Sequence, residues 1–309
     1  MAKPQNNSKG KKKPKGPLRK LLSFGIYLSI LYLLVTAGIM YHLIGGNYKG
    51  LMVHPSTRGV DVAEVEFKND SGMLLKGWYS PVEDRPIVLI AHGRHQHRGQ
   101  MSALYTHLFL ACRLGFLVFD FRASGESEGM LSTGGVKESQ DLEAALDWLE
   151  SKGHEPSETI LVAYDMGATA AFGIPERLNR LNTVIFVGPS EGPRRNLSRV
   201  MKNMHIPMFP VASLALMASQ EITGANFKKP DPLLAMQELT HPFVIFVASD
   251  TDTVSPLPFV KSLYNEVPGD PTDQKILKTF SGYSHDKLIS IDKPDLARWI
   301  GGYLAKKFD

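Results

Sequence analysis

Cysteine is almost absent from this sequence, because Cys112 is the single one among 309 residues. One thiol cannot form an internal disulfide or supply the paired cysteines of a zinc finger. Acidic residues are missing from residues 1–20, which hold eight Lys or Arg. The rest of the chain has 27 basic and 31 acidic residues, a net charge of −4, so the overall charge of +4 is positive only because of this tail. We therefore expect no nucleic-acid partner for the folded part.

Charge is also missing from residues 21–44, which read LLSFGIYLSILYLLVTAGIMYHLI. A helix of this length extends about 36 Å at ~1.5 Å per residue, enough to cross a ~30 Å hydrocarbon core with some tilt. A cleavable signal peptide has a shorter apolar stretch, about 7–15 residues, and ends in small residues. The sequence Tyr41-His42-Leu43 is a poor cleavage site. The segment is therefore predicted to be a transmembrane signal anchor rather than a signal peptide or a buried core helix.

The basic tail also predicts the orientation of the chain. Positive residues beside a membrane span stay in the cytoplasm, so residues from Gly45 onward are expected on the other side. The predicted organisation is a cytoplasmic tail (1–20), a transmembrane anchor (21–44), a connector (45–59) and one domain (60–309). We expect a single-pass membrane protein with its C-terminal domain in the periplasm, outside the cell or in a lumen.

Apolar runs alternate with amphipathic stretches throughout the domain. Many of the runs, such as IVLIA and FVIFVA, are continuously apolar, as in strands buried on both faces. The alternation predicts an α/β fold with a doubly wound, mostly parallel, eight-stranded sheet. The predicted strands are 60–67, 74–79, 87–91, 116–121, 159–163, 183–188, 243–249 and 275–280, and the predicted helices are 101–114, 138–151, 168–177, 257–265 and 287–307.

Residues 190–230 interrupt the alternation and are rich in proline, methionine and small residues. We predict a small lid there, inserted after the sixth strand. Its methionine and phenylalanine side chains suit either contact with an acyl chain beside a bilayer or packing within the lid itself. These residues are Met201, Met204, Met208, Phe209 and Met217.

The run 160–171 indicates a buried strand that turns into a helix of small residues, with Asp165 at the turn. This is the setting of a nucleophile elbow, G-x-S-x-G, which here reads A-x-D-x-G. Other polar motifs also follow predicted strands, at the edge where open α/β sheets bind their ligands. They are His92-Gly93-Arg94, DFRASGES at 120–127, SDTDTVSP at 249–256 and SGYSH at 281–285.

Five such motifs in this order resemble the α/β-hydrolase superfamily, from about residue 60 to residue 308. The sequence is most similar to membrane-anchored, lysophospholipase-like or serine-aminopeptidase-like members. The resemblance implies an acid at Asp252 and a base at His285; Asp250 competes as the acid, but Asp252 stands two residues before Val254, as in the family loop. It also implies an oxyanion hole made of the backbone N–H groups of Arg94 and Met166, a turn motif of His92, Gly93 and Gly167, and no cofactor.

Asp165 replaces the serine that the resemblance leads one to expect. A carboxylate attacks sp³ carbon without first losing a proton and forms an ester that activated water cleaves, as in the haloalkane dehalogenases and epoxide hydrolases of the superfamily. Simple serine-esterase chemistry at this position is excluded. The tryptophan that follows a dehalogenase nucleophile is replaced by Met166, and residues 190–230 contain no tyrosine of the kind epoxide hydrolases use. The leading interpretation is an Asp165–His285–Asp252 hydrolase of a small or lipid-like substrate, and the alternative is an inactive protein that binds or scaffolds.

The segment 92–98 holds further candidates. His92, His95 and His97 are spaced like possible metal ligands, but no matched carboxylate accompanies them, and no metal site is predicted. Arg94 and Arg98 would suit an anionic substrate group. The preferred interpretation of both is solvated loop charge.

Overall fold

The computed structural model describes residues 16–46, 48–50, 52–270, 274–290, 292 and 294–308. Residues 1–15 of the predicted basic tail lie outside these ranges. Eight strands form one sheet, as the sequence predicted. They are β1 (Ala63–Lys68), β2 (Leu74–Ser80), β3 (Ile87–Ala91), β4 (Gly115–Phe119), β5 (Thr159–Tyr164), β6 (Thr183–Val187), β7 (Phe243–Ser249) and β8 (Lys275–Phe280).

Ten α-helices lie in the described part of the chain. They are α1 (Pro17–Ile44), α2 (Ser102–Cys112), α3 (Glu138–Ser151), α4 (Met166–Phe172), α5 (Pro175–Leu178), α6 (Pro193–Asn203), α7 (Val211–Thr223), α8 (Pro232–Gln237), α9 (Leu257–Glu266) and α10 (Asp295–Phe308). The helix predicted over 168–177 is split into α4 and α5, and that predicted over 287–307 begins only at Asp295. Proline explains both differences, since Pro175 and Pro294 lack the N–H that a continuing helix needs.

The strand order is β1-β2-β4-β3-β5-β6-β7-β8. Strand β2 runs antiparallel to β1 and β4, and the other neighbouring pairs are parallel. The strands from β3 to β8 therefore end at the same edge of the sheet. The loops that follow them carry the polar motifs, so the topology brings these motifs together.

Two apolar layers cover the sheet. On one face, side chains of the strands pack against α3, α4, α8 and α9. On the other face, they pack against α2 and α10. The central strands β3, β4, β5 and β6 are buried along their whole length. This burial on both faces explains why their sequences are continuously apolar rather than alternating.

Residues 190–230, the predicted lid, contain two helices, α6 and α7, between β6 and α8. The C-terminal turns of α1 pack against this lid in a third apolar cluster, separate from the two layers of the sheet. Leu43 and Ile44 of α1 contribute to it, together with Met201 of α6 and Ala212, Ala215 and Leu216 of α7. The long N-terminal helix is thus in contact with the domain.

Helix α1 contains a window of 18 residues with a mean hydropathy of 2.0. It is long and apolar enough to cross a membrane, by length and composition alone. After Ile44 the chain runs along the loop that follows β4. Short β-bridges join Gly45 to Leu131 and Tyr48 to Ser124 there, and the connector therefore ties the end of α1 to the domain.

Candidate active site

Asp165 lies at the sharp turn between β5 and α4. Its backbone has φ 48° and ψ −107°, a sparsely populated conformation for a residue with a side chain. Gly167 makes the turn sterically feasible, because a Cβ atom there would lie 2.6 Å from the carbonyl oxygen of Ala91. The turn presses the start of α4 against the end of β3 and directs the carboxylate away from the sheet.

Two backbone N–H groups face the Asp165 carboxylate. Arg94 N–H donates a hydrogen bond of 2.9 Å to Asp165 Oδ2, and Met166 N–H also interacts with the carboxylate. Burial alone would raise the pKa of Asp165, but His285 and these two N–H groups outweigh it and lower the pKa. The N–H pair that the sequence associated with an oxyanion hole thus holds an oxygen of Asp165 itself.

His285 lies between two carboxylates. Its Nδ1 is 2.7 Å from Asp252 Oδ2, and its Nε2 is 3.7 Å from Asp165 Oδ1, an ion-pair separation rather than a hydrogen bond. Tyr164 stacks on the imidazole ring with a centroid separation of 5.0 Å, and its hydroxyl donates to the His285 carbonyl oxygen. These contacts hold the ring in one orientation.

The charges around His285 determine its protonation. Burial alone would lower the pKa of the imidazole, but the carboxylates of Asp165 and Asp252 raise it to about 10. At neutral pH the ring is therefore an imidazolium, and the three side chains together carry one net negative charge.

Asp252 and Asp250 have different environments. The Asp252 side chain is fully buried, and its Oδ1 accepts 2.8 Å hydrogen bonds from the N–H groups of Val254 and Ser255. Asp250 is exposed and accepts a hydrogen bond from Gly282 N–H. Of the two aspartates, only Asp252 is placed to orient His285.

The His92-Gly93 turn after β3 is a buried structural element. His92 Nδ1 lies 2.7 Å from the Gly93 carbonyl oxygen, and Nε2 accepts a hydrogen bond from Phe121 N–H. A Cβ atom on Gly93 would lie 2.7 Å from the ring of Tyr164. The turn therefore places the Arg94 N–H beside Asp165. Within the described ranges, no three His, Cys, Asp or Glu side chains are grouped so that they could hold a metal ion.

The interpretation of Arg98 as a solvated charge is wrong. Its side chain is 2 % exposed and forms ion pairs with Asp120 and Glu126. Its guanidinium also lies 4.5 Å from the ring centroid of Trp78. The chain after the His92-Gly93 turn folds back beneath the loop that follows β4, and the arginine is buried there beside its partners.

Two uncharacterized bacterial proteins are similar in sequence to this chain. An uncharacterized protein of Bacillus subtilis is 24 % identical over 202 residues, which are 64 % of this chain and 66 % of that protein. An uncharacterized protein of Rickettsia prowazekii is 28 % identical over 108 residues, 34 % of this chain and 45 % of that protein. The matches thus span less than two thirds of either relative. No family model matches the chain.

Solved structures give a longer match. An esterase of Pyrococcus furiosus superposes with a TM-score of 0.63 and 19 % identity, over 84 % of this chain and 97 % of that chain. This chain has the α/β-hydrolase fold. At such low identity the likeness concerns the fold and does not transfer an activity. In this fold Asp165 occupies the elbow after β5.

A cavity of about 490 Å³ opens above the elbow of this α/β-hydrolase fold. Asp165, Met166 and His285 lie at its floor. Its walls come from the lid helix α6, from the loop after β7 and from the last turn of α1. Side chains of these walls include Asn196, Leu197, Arg199, Val200, Thr253 and Val254, with His42 and Leu43 from α1.

The contribution of α1 to this cavity was not foreseen from the sequence. Arg94 Nη2 donates a hydrogen bond to the His42 carbonyl oxygen, so the residue whose N–H contacts Asp165 also holds the end of α1. A helix that is apolar on all sides gives no signal of which face it buries. By contrast, Tyr164 could have been noticed as the neighbour of the elbow residue.

The methionine and phenylalanine side chains of the lid do not line the cavity. Met201 is buried in the cluster between α1 and the lid. Met204, Phe209 and Met217 are 61 %, 77 % and 64 % exposed on the outer surface of the lid. These side chains therefore do not contact the space inside the cavity.

Proposed function

We propose that this chain is a membrane-anchored hydrolase in which Asp165 is the nucleophile, His285 the acid–base group and Asp252 the carboxylate that orients His285. One observation carries the proposal: a buried imidazole lies between the elbow carboxylate and a second buried carboxylate, at 3.7 Å and 2.7 Å. A nucleophile, a base within reach and a group that orients the base are the elements of nucleophilic catalysis.

In the first step, Asp165 Oδ1 attacks an sp³ carbon that bears a leaving group. A carbon–oxygen bond forms, and the bond to the leaving group breaks with its electron pair. A leaving group that departs as a base takes the Nε2 proton of the His285 imidazolium. The product is an ester of Asp165 whose second oxygen, Oδ2, stays against the Arg94 N–H.

The second step is hydrolysis of that ester. Esterification removes the negative charge of Asp165, and this lowers the pKa of His285 because one of the carboxylates that raise it has been neutralised. The neutral Nε2 then takes a proton from a water molecule that attacks the Asp165 carbonyl carbon. The developing oxyanion on Oδ2 accepts hydrogen bonds from the N–H groups of Arg94 and Met166. Collapse releases the alcohol and restores the carboxylate and the imidazolium.

The proposal includes the membrane and the orientation of the chain. Helix α1 would span the bilayer, and the basic residues that precede it would remain in the cytoplasm. The domain would then lie on the opposite side. Sealed vesicles whose interior corresponds to the cytoplasm are treated with a membrane-impermeant lysine reagent. The lysines of residues 1–20 should be protected, and Lys228 should be modified.

Isotope transfer tests the chemistry directly. The full-length protein is mixed in excess with members of a panel of haloalkanes, epoxides and esters in ¹⁸O-water, and its peptides are analysed by mass spectrometry. Label should enter the peptide that contains Asp165, since water attacks the carbonyl carbon of the aspartyl ester. The peptide that contains Asp250 serves as the control and should stay unlabelled. No incorporation with any member of the panel would overturn the proposed mechanism.

A non-catalytic binding protein is the second candidate. The observation that favours it is the pair of ion pairs in the site. The positive charge of His285 is already balanced by the carboxylates of Asp165 and Asp252. This candidate predicts that Asp165→Asn retains cellular function, and loss of function in that variant contradicts it. Asp165→Ser adds a second comparison, because short acyl esters should be hydrolysed if the remaining groups support serine chemistry.

A further inference from the structure

The lid contains a long segment without charge. Residues 204–220, MHIPMFPVASLALMASQ, include no Lys, Arg, Asp or Glu. They lie in the longest such run after residue 60, which extends from 203 to 220. The segment contains most of α7, which has 13 residues. At ~1.5 Å per residue α7 is roughly 20 Å long, too short to cross a bilayer and of the length typical of buried core helices and of interfacial or re-entrant helices.

The two faces of α7 differ in what covers them. Ala212, Ala215 and Ser219 are fully buried towards α1 and the lid core. Such small side chains allow two helices in a membrane to approach closely. The opposite face exposes Leu214 and Met217, and Glu221 follows them at its C-terminal end. Phe209, in the loop before α7, is also exposed. The segment thus presents large apolar side chains on the outside and small ones on the inside.

The part of α1 against which α7 packs indicates how deep α7 lies in the membrane. The buried face of α1 includes Thr36 and Leu43, with Ile39 and Met40 packed against the same cluster. A hydrocarbon core of ~30 Å takes about 20 residues, so a span that begins at Leu21 ends near Met40. A span that ended before Thr36 would draw Arg19 and Lys20 into the hydrocarbon, which is costly. Helix α7 therefore lies beside a part of α1 that is inside the membrane.

The charged residues of the lid are also consistent with contact between the lid and a membrane. Residues 190–230 hold six basic and two acidic residues, whereas the rest of residues 21–309 holds 21 basic and 29 acidic ones. The exposed side chains of Arg194 and Lys202 lie at the two ends of α6, the helix that precedes the uncharged segment. Long Lys and Arg side chains at the edge of an inserted apolar segment extend their charged ends to the lipid headgroups.

We infer that residues 204–220 insert into the leaflet at the C-terminal end of α1, with the bilayer as the partner of this surface. The inference rests on the proposed transmembrane anchor and deepens the proposed function. His42 and Leu43 at the end of α1 form part of the cavity wall, so the cavity lies at the level of the lipid headgroups. Substrates that partition into the bilayer would then reach Asp165 from the membrane, which makes amphiphiles the expected class.

Depth-dependent quenching tests this inference on the full-length protein. The single cysteine is replaced by Cys112→Ala, and an environment-sensitive fluorophore is attached through Met217→Cys in one variant. Two variants serve as references: Ile26→Cys on α1, and Leu110→Cys on α2, where leucine is 53 % exposed but lies outside the lid. Each is reconstituted in phosphatidylcholine–phosphatidylglycerol vesicles with and without brominated acyl chains.

We expect brominated lipid to quench the fluorophore at residue 217 nearly as much as at residue 26, and several times more than at residue 110. Strong quenching at residue 26 with equal, weak quenching at residues 217 and 110 would overturn lid insertion and leave the anchor intact. Weak quenching at all three would overturn the anchor and the lid inference together. A label introduced by Phe209→Cys repeats the measurement outside α7, in case the label at residue 217 disturbs that helix.

Discussion

The protonation of His285 is the property of the site that a single substitution should change most clearly. Asp165→Asn removes one negative charge while preserving the shape of the side chain, and asparagine tolerates the positive φ of this position. A unit charge 3.7 Å away contributes roughly 4 kcal/mol at an effective dielectric constant of about 20. That energy corresponds to about three pKa units. The pKa of His285 should therefore fall from about 10 to about 7.

Titration by NMR measures this change. The imidazole nitrogens of ¹⁵N-histidine are followed from acidic to basic pH in the wild type and in Asp165→Asn, and His285 is assigned through a His285→Gln variant. The substituted protein imitates the charge of the esterified enzyme, so a neutral imidazole near pH 7 is what the hydrolysis step requires. An equal pKa in both proteins, or a wild-type value already near 7, would refute the reasoning.

The same shift has a consequence for stability. Because the folded-state pKa of His285 is raised, its contribution to the free energy of unfolding is complete below the unfolded value of 6.5 and is lost as the pH rises through about 10. At about pH 9 the wild type should have lost about 3 kcal/mol relative to its value below pH 6.5. Asp165→Asn should lose little over this range. Urea unfolding in detergent micelles at several pH values measures how the free energy of unfolding of each protein depends on pH. Equal dependence in both proteins would contradict the claim that Asp165 raises the pKa of His285.

Two further predictions use matched pairs of variants. Asp252→Asn should slow ¹⁸O transfer about 10³–10⁴-fold, since the imidazole loses its orienting partner. Asp250→Asn, at an exposed position, should react at the wild-type rate. Equal effects of the two substitutions would contradict the assignment of Asp252 as the orienting carboxylate. Gly167→Ala should lower the free energy of unfolding by about 1–3 kcal/mol, because its Cβ would lie 2.6 Å from a backbone oxygen of β3. Gly302→Ala in α10 meets no atom within 4 Å and should instead raise it by about 0.5–1 kcal/mol. Chemical denaturation compares the two, and similar losses in both would show that steric contact at the elbow is not the cause.

Much of the sheet was predictable because the signal is local. Strands β3 and β7 have the predicted ends, since short apolar runs bounded by polar or turn residues allow few alternatives. The helices were less certain at their ends. A single proline, such as Pro175 or Pro294, shortens a helix that the apolar pattern alone would continue.

The candidate site was predictable in part. The order of the motifs indicated which loops meet, because parallel strands end at one edge of the sheet. The relation between Asp250 and Asp252 could not be decided by spacing alone, since both stand in one short loop. Burial separates them: Asp252 faces His285 and two backbone N–H groups, whereas Asp250 points to the surface.

Arg98 shows the limit of composition as a guide. A charged residue in a loop is usually solvated, but this one lies beneath the next loop beside Asp120. Its partner comes from the loop after β4, and nothing in the sequence around Arg98 indicates the contact. The cost of burying the guanidinium is offset by ion pairs that exist only in the folded chain.

The sequence by itself determined the sheet, the uncharged segment 21–44 and the presence of a carboxylate at the elbow. These depend on residue types and their spacing along the chain. Only the tertiary structure decided what surrounds that carboxylate, namely His285 and the N–H group of Arg94. It also placed the end of α1 against the lid and the cavity. Such contacts join residues far apart in the chain, and their distances are set by packing rather than by local sequence.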